Sequence, residues 1–180
     1  MLLLTGPWIP AGPALHAQQG PTEYQVEAAY LFNFLKFIEW PDDHRKDPPG
    51  RWVFGFLGDS PVGDELKQVA AGKSIQGHGL EVRILQNAAD GRGCNVLFVG
   101  GSERKNLASI LANLRGASVL TVADMDDFVE SGGMVQFVVK DSRVRLVIDV
   151  GAANRAHLKI SSKLLSIAMA VTGAEKGTVN

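Results

Sequence analysis

The alternation of apolar and polar positions changes rhythm several times along this chain, and each change predicts a different element. From Gln25 to Pro41 the segment QVEAAYLFNFLKFIEWP puts apolar residues on almost every side of a 3.6-residue spiral, counting from Tyr24 through Leu31, Phe34 and Ile38 to Trp40. That pattern predicts a buried helix ended by Pro41. Its longest unbroken apolar run, Ala28 to Phe32, falls far short of the ~20 residues a bilayer span requires, so the helix belongs to a protein core. Asn33, Lys36 and Trp40 form a narrow seam at spacings of three and four, with Glu39 three residues after Lys36. Structurally, Asn33 would bond a neighbouring loop and Lys36 would lie along the surface beside Glu39. Functionally, the same seam is a candidate ligand or partner surface.

Beyond this helix the period shortens. Asp42 to Arg51 is a charged, proline-bearing loop, and WVFGFLG (Trp52 to Gly58) is a short continuous apolar run, as in a strand covered on both faces. Asp59 or Ser60 then caps a helix with Pro61 at its first position, running to about Ala71. LEVRIL (Leu80 to Leu85) alternates like a strand, and NVLFVGG (Asn95 to Gly101) reads as a buried one, after which Ser102 and Glu103 open a helix to about Leu114. SVLTVAD (Ser118 to Asp124) is a third buried-type strand. DMDDFVESGG predicts a short helix stopped by Gly132 and Gly133. MVQFVVK and RVRLVIDV, separated by Asp141 and Ser142, form a hairpin, and helical material runs from about Gly151 to Thr172. The whole predicts a single α/β domain with a mostly parallel sheet, helices on both faces and an antiparallel C-terminal hairpin.

Composition narrows the function classes. The chain has 180 residues, is 46% hydrophobic and 21% charged, and carries a formal net charge of -1. That is enough for one domain with a real core, and it lacks the basic field that nucleic-acid backbones demand. Met1 to Ala17 contains no Asp, Glu, Lys or Arg, opens on three leucines and ends Ala14-Leu15-His16-Ala17 before a polar Gln18-Gln19. It resembles the end of a secretory signal, with residues 1–17 removed and a domain from 18 to 180. The usual basic residue at the start is absent, and Pro7, Pro10 and Pro13 interrupt the apolar stretch. Cys94 is the only cysteine, so stability in an oxidising compartment must come from packing, and the thiol reads as a small buried hydrophobe.

Familiar chemistry is hard to find. AAGKS (Ala70 to Ser74) lacks the glycine a phosphate-binding loop needs, which is Lys67 here, and LGDSPVG lacks the three-glycine spacing of a dinucleotide fingerprint. VGGSER joins a strand to a helix at the carboxyl edge of the sheet, so Gly100, Gly101 and Ser102 form the best generic crevice for an anion; the simpler reading is a tight turn capped by Ser102. His44, His78 and His157 are scattered, which argues against zinc. Asp124, Asp126 and Asp127 start like a calcium loop, but Phe128 occupies a ligand position. No Gly-x-Ser-x-Gly elbow or paired nucleophile and base is evident, so no catalytic residue, metal or cofactor is assigned. A hydrolase or transferase would need such a cluster. Lys159, Ser161 and Ser162 lie at a helix entrance, where capping explains the serines and a pocket or interface is the functional alternative.

Three segments in order, AAYLFNFLKFIEWP, GGMVQFVV and ANRAHLKISSKLLSIA, resemble the YfiR family of exported bacterial regulators. The resemblance spans essentially the whole chain after the export segment. It implies a non-catalytic periplasmic repressor, often homodimeric, that does not itself span the membrane. Such a repressor binds the periplasmic sensor part of an inner-membrane diguanylate cyclase and restrains cyclic-di-GMP production. The paired cysteines of redox-responsive members are absent, so disulfide control does not carry over. A small-ligand receptor partnered with another membrane signalling protein is the alternative, using Gly100 to Ser102 or the seam of the first helix.

Overall fold

The structure, a computed structural model, describes residues 20–41 and 50–173. The predicted export segment and most of the Asp42–Arg51 loop, His44 included, lie outside the described residues. The first helix, α1 (Glu23–Phe37), starts on a capping box: Gln25 N–H donates to Thr22 Oγ1 at 3.3 Å while Thr22 N–H donates to Gln25 Oε1 at 3.1 Å. It ends three residues earlier than the apolar pattern predicts. Trp40 precedes a proline and is biased out of the helical region, and Ile38–Glu39 form a short strand, β1, antiparallel to β8 (Lys159–Ile160).

The main sheet has seven strands, β2 (Arg51–Leu57), β3 (Gly79–Leu85), β4 (Val96–Val99), β5 (Leu120–Ala123), β6 (Val135–Lys140), β7 (Arg143–Asp149) and β9 (Ala170–Thr172). Their spatial order is β3-β2-β4-β5-β6-β7-β9, parallel throughout except for the β6–β7 hairpin. Asp141 and Ser142 both have positive φ, 51° and 56°, the geometry a two-residue hairpin requires. Because β9 pairs with the far side of β7, the hairpin is internal to the sheet and not its edge.

Side-chain alternation explains why the strands read as unbroken apolar runs. Trp52, Phe54, Phe56, Val96, Phe98, Leu120 and Val122 face one core with α1 and α2 (Val62–Ala70). The intervening Leu57, Leu97, Val99 and Ala123 face a smaller core with α3 (Leu107–Asn113). Both faces are therefore covered. In the larger core Phe34 of α1 stacks on Phe137 of β6 at 6.1 Å, with Tyr30 5.9 Å from the same ring.

Three expected helices take other forms. The stretch from Gly101 to Asn106 is 3-10 helix, and the α-helix begins only at Leu107. Met125 to Ser131 makes turns in place of the short helix, with Asp127 at φ 60°. The C-terminal helical stretch is broken into α4 (Val150–Arg155), β8, α5 (Ser162–Leu165) and β9. Ser161 does cap α5, accepting from Leu164 N–H at 3.4 Å, but Ile167 and Val171 are exposed and do not face the core as the helical pattern implies.

Candidate functional site

The register of β1 against β8 brings two distant candidate groups to one corner. Ile38 lies opposite Ile160 and Glu39 opposite Lys159, and Ser161 N–H donates 2.8 Å to the Phe37 carbonyl, one of the acceptors that the end of α1 leaves open. Asn33 and Lys36 therefore share this corner with Lys159, Ser161 and Ser162. Asn33 Nδ2 donates to the Ala29 carbonyl at 2.8 Å, inside its own helix and not to a loop. Lys36 Nζ donates to Asn33 Oδ1 at 2.9 Å and stands 5.3 Å from the Phe32 ring centroid, so Asn33 and not Glu39 holds it. Lys73 Nζ stands 5.5 Å from the centroid of the same ring, giving one aromatic ring two cations.

Trp40 is not part of the helical seam. It lies past the end of α1, buried against Trp52 with ring centroids 5.3 Å apart. Its indole Nε1 finds no hydrogen-bond partner among the described residues, whereas that of Trp52 donates to the Ile75 carbonyl at 3.2 Å. Trp40 thus supports the corner from below. The groups at its surface are Lys36, Glu39, Lys73, Lys159 and Ser162. Beside it a shallow pocket of about 440 Å³ is lined by Arg51, Lys67 and Lys73, adding to the cationic character of this side.

Gly100, Gly101 and Ser102 lie at the opposite edge of the sheet. The chain leaves β2 for β3 on one side and returns to β4 on the other, so this is the switch point where open α/β sheets bind ligands. Here the crevice is filled by the protein itself. Asp59 N–H donates to Ser102 Oγ at 3.0 Å, and a Cβ on Gly100 would stand 2.6 Å from the Asp59 carbonyl oxygen. Gly58, at φ 80°, is equally confined, since its Cβ would meet Ser102 Oγ at 2.5 Å. Gly100→Ala is expected to destabilise the protein by about 1–3 kcal/mol through this overpacking, read as a lower urea midpoint. An unchanged midpoint would show that the crevice has room after all.

Comparison with known proteins places the chain. The family model described as YfiR/HmsC-like matches residues 24–169. The chain belongs to the YfiR/HmsC-like family. That is a family of periplasmic regulators, and the match agrees with the resemblance carried by the three sequence segments. No curated protein matches the sequence. Among solved structures, a conserved domain protein from Vibrio cholerae O1 biovar El Tor aligns with TM-score 0.58 at 12% identity, over 83% of this chain and 60% of that one. The ABC domain from Streptococcus pneumoniae, in complex with L-Trp, aligns with TM-score 0.50 at 12% identity, over 67% and 55%. At such identities the likeness is one of fold, and the chain spans only about 60% of the Vibrio protein's length.

Within this YfiR/HmsC-like domain one buried group escaped the reading of the sequence. Glu27 of α1 is 1% exposed, and its Oε2 has no hydrogen-bond partner among the described residues. Burial, with the charges of Asp124 and Glu23 adding to it, pushes its carboxyl up to about 8. Asp124, at the carboxyl end of β5, is also raised by burial. The signal was present, since Glu27 shares a spiral face with Leu31 and Phe34, both fully buried. Cys94 is 2% exposed and burial raises its thiol to about 11, so it behaves as the small buried hydrophobe its apolar setting suggests. No group of three or more His, Cys, Asp or Glu side chains that could hold a metal occurs among the described residues, and no described helix is long and apolar enough to cross a membrane.

Proposed function

We propose that this protein is exported to the periplasm and represses an inner-membrane diguanylate cyclase by binding its periplasmic sensor part. The observation that carries the reading is the YfiR/HmsC-like match across residues 24–169, which takes in nearly all the described elements. The uncharged, leucine-led segment from Met1 to Ala17 supports export. The repressor performs no chemistry; it acts by binding the inactive arrangement of the cyclase more tightly than the active one and so lowers the active fraction. A homodimer belongs to the same reading.

The partner surface in this proposal is the corner joining α1 to β8. It carries Lys36 and Lys73 at the Phe32 ring and Lys159 opposite Glu39 across the β1–β8 pair, above the buried Trp40–Trp52 contact. Three lysines against the single Glu39 carboxylate suit an acidic stretch of the sensor and speed its capture. Deleting the gene is expected to raise cellular cyclic-di-GMP, and the intact gene to restore it. The double variant Lys36→Glu, Lys159→Glu is expected to restore it poorly while folding normally, because both side chains are solvent-facing. A deletion strain with unchanged cyclic-di-GMP would remove the cyclase from the account, and full restoration by the double variant would move the interface elsewhere.

A further inference from the structure

A cavity of about 640 Å³ lies on the sheet face opposite α1, between α3, the start of β5, the Ser131–Met134 turn and α4. Its wall is mixed, with an apolar part formed by Leu111, Leu114, Val119, Met134 and Ala152 beside the polar Thr121 and Ser131. Two arginines stand at its margin, Arg115 after α3 and Arg155 at the end of α4. No acidic side chain lines it among the described residues. Arg155 has only a distant partner, with Nη2 3.9 Å from Asp149 Oδ2, and that carboxylate is already engaged in capping α4 through the Ala152 N–H at 3.0 Å. The backbone at Arg115 is held in place by Arg92, whose Nη1 donates to the Asn113 and Arg115 carbonyls at 2.7 and 3.2 Å. Inside, Thr121 is a 2% exposed residue. Its hydroxyl accepts from Met134 N–H at 3.1 Å, which leaves its own proton to donate.

We infer that this cavity is a binding site for a small organic anion with an apolar body, a carboxylate bearing a hydrocarbon chain or ring. Three features select that class. The volume falls within the range of about 300–1,000 Å³ typical of small-molecule sites and is far too large for a bare inorganic anion. The apolar part of the wall gains from covering hydrocarbon. Two guanidinium groups, one of them only loosely paired with Asp149, favour a carboxylate at the rim, which arginine holds through paired donors. The site is distinct from the corner of α1 and β8, so its test does not depend on any cyclase.

Isothermal titration of the purified protein with 3-phenylpropionate and octanoate, against their amides and against acetate, decides the matter. Both acids are expected to bind at least tenfold more tightly than the corresponding amides, and acetate not to bind. Arg115→Gln with Arg155→Gln should weaken the acids at least tenfold. Ala112→Trp, at an exposed cavity-lining position, should abolish binding while the far-ultraviolet circular dichroism stays unchanged; if that variant does not fold, the arginine pair decides. Amides binding as well as acids, acids binding the arginine variant undiminished, or no acid binding below about 1 mM would each overturn the inference.

Discussion

Replacing Glu27 with Gln is expected to stabilise the protein at pH 8 by about 2 kcal/mol or more, and to change little at pH 4. The folded carboxyl is raised from an ordinary 4.5 to about 8, so below pH 4.5 both folded and unfolded chains hold the proton and Glu27 costs nothing beyond its burial. As pH rises from 4.5 towards 8 the unfolded chain releases the proton while the folded chain keeps it. Stability of the native protein falls across that window, with a ceiling of about 5 kcal/mol set by its width. The glutamine variant has no proton to lose and should show a flatter profile. Denaturant unfolding from pH 4 to pH 8 checks this; parallel profiles for the two proteins would mean that Glu27 is ionised and compensated in the folded state. Asp124 is the neighbour whose charge adds most to burial, so Asp124→Asn should reproduce part of the same flattening.

Phe34→Ala is expected to cost about 3–5 kcal/mol, the usual effect of emptying a buried phenylalanine site. The ring is fully buried, stacks on Phe137 and packs beside Tyr30 at 6.3 Å. It therefore ties the first helix to the internal hairpin. For a domain of this size the loss corresponds to a fall in Tm of roughly 10 °C. Calorimetry showing a fall of only one or two degrees would place the organising contacts of α1 elsewhere.

How far the sequence foretold this depends on whether the information was local. The runs WVFGFLG, NVLFVGG and SVLTVAD announce strands because both of their faces are buried, and Asp141-Ser142 announces its turn because few residues accept two successive positive φ values. Thr22 and Gln25 also carried a local signal, a capping box, that marks where α1 starts. The C-terminal segment is different. Its Ala and Leu content is helical by propensity, yet Ile160 is taken by Ile38 and Ala170 by Val147 through pairings that only the folded chain supplies. His157, at φ 58°, marks the break.

The candidate site divides in the same way. The sequence marks the end of α1 and the Lys159–Ser162 segment separately, and only the antiparallel β1–β8 register joins them, with Glu39 opposite Lys159. A continuous helix would put Trp40 in a surface seam, and the early stop of α1 at Phe37 turns it inward. The crevice expected at Gly100 to Ser102 is at the right topological position, yet Asp59 occupies it. Glu27 could have been noticed from its i+4 and i+7 partners, and its unpaired oxygen could not.

Titration of the purified protein with the periplasmic domain of the diguanylate cyclase encoded nearest to it tests the central claim most directly. Saturable binding at micromolar concentration or tighter is expected, weakened at least tenfold by Lys36→Glu with Lys159→Glu and weakened further by salt. Absence of binding up to about 100 µM of either protein would contradict it.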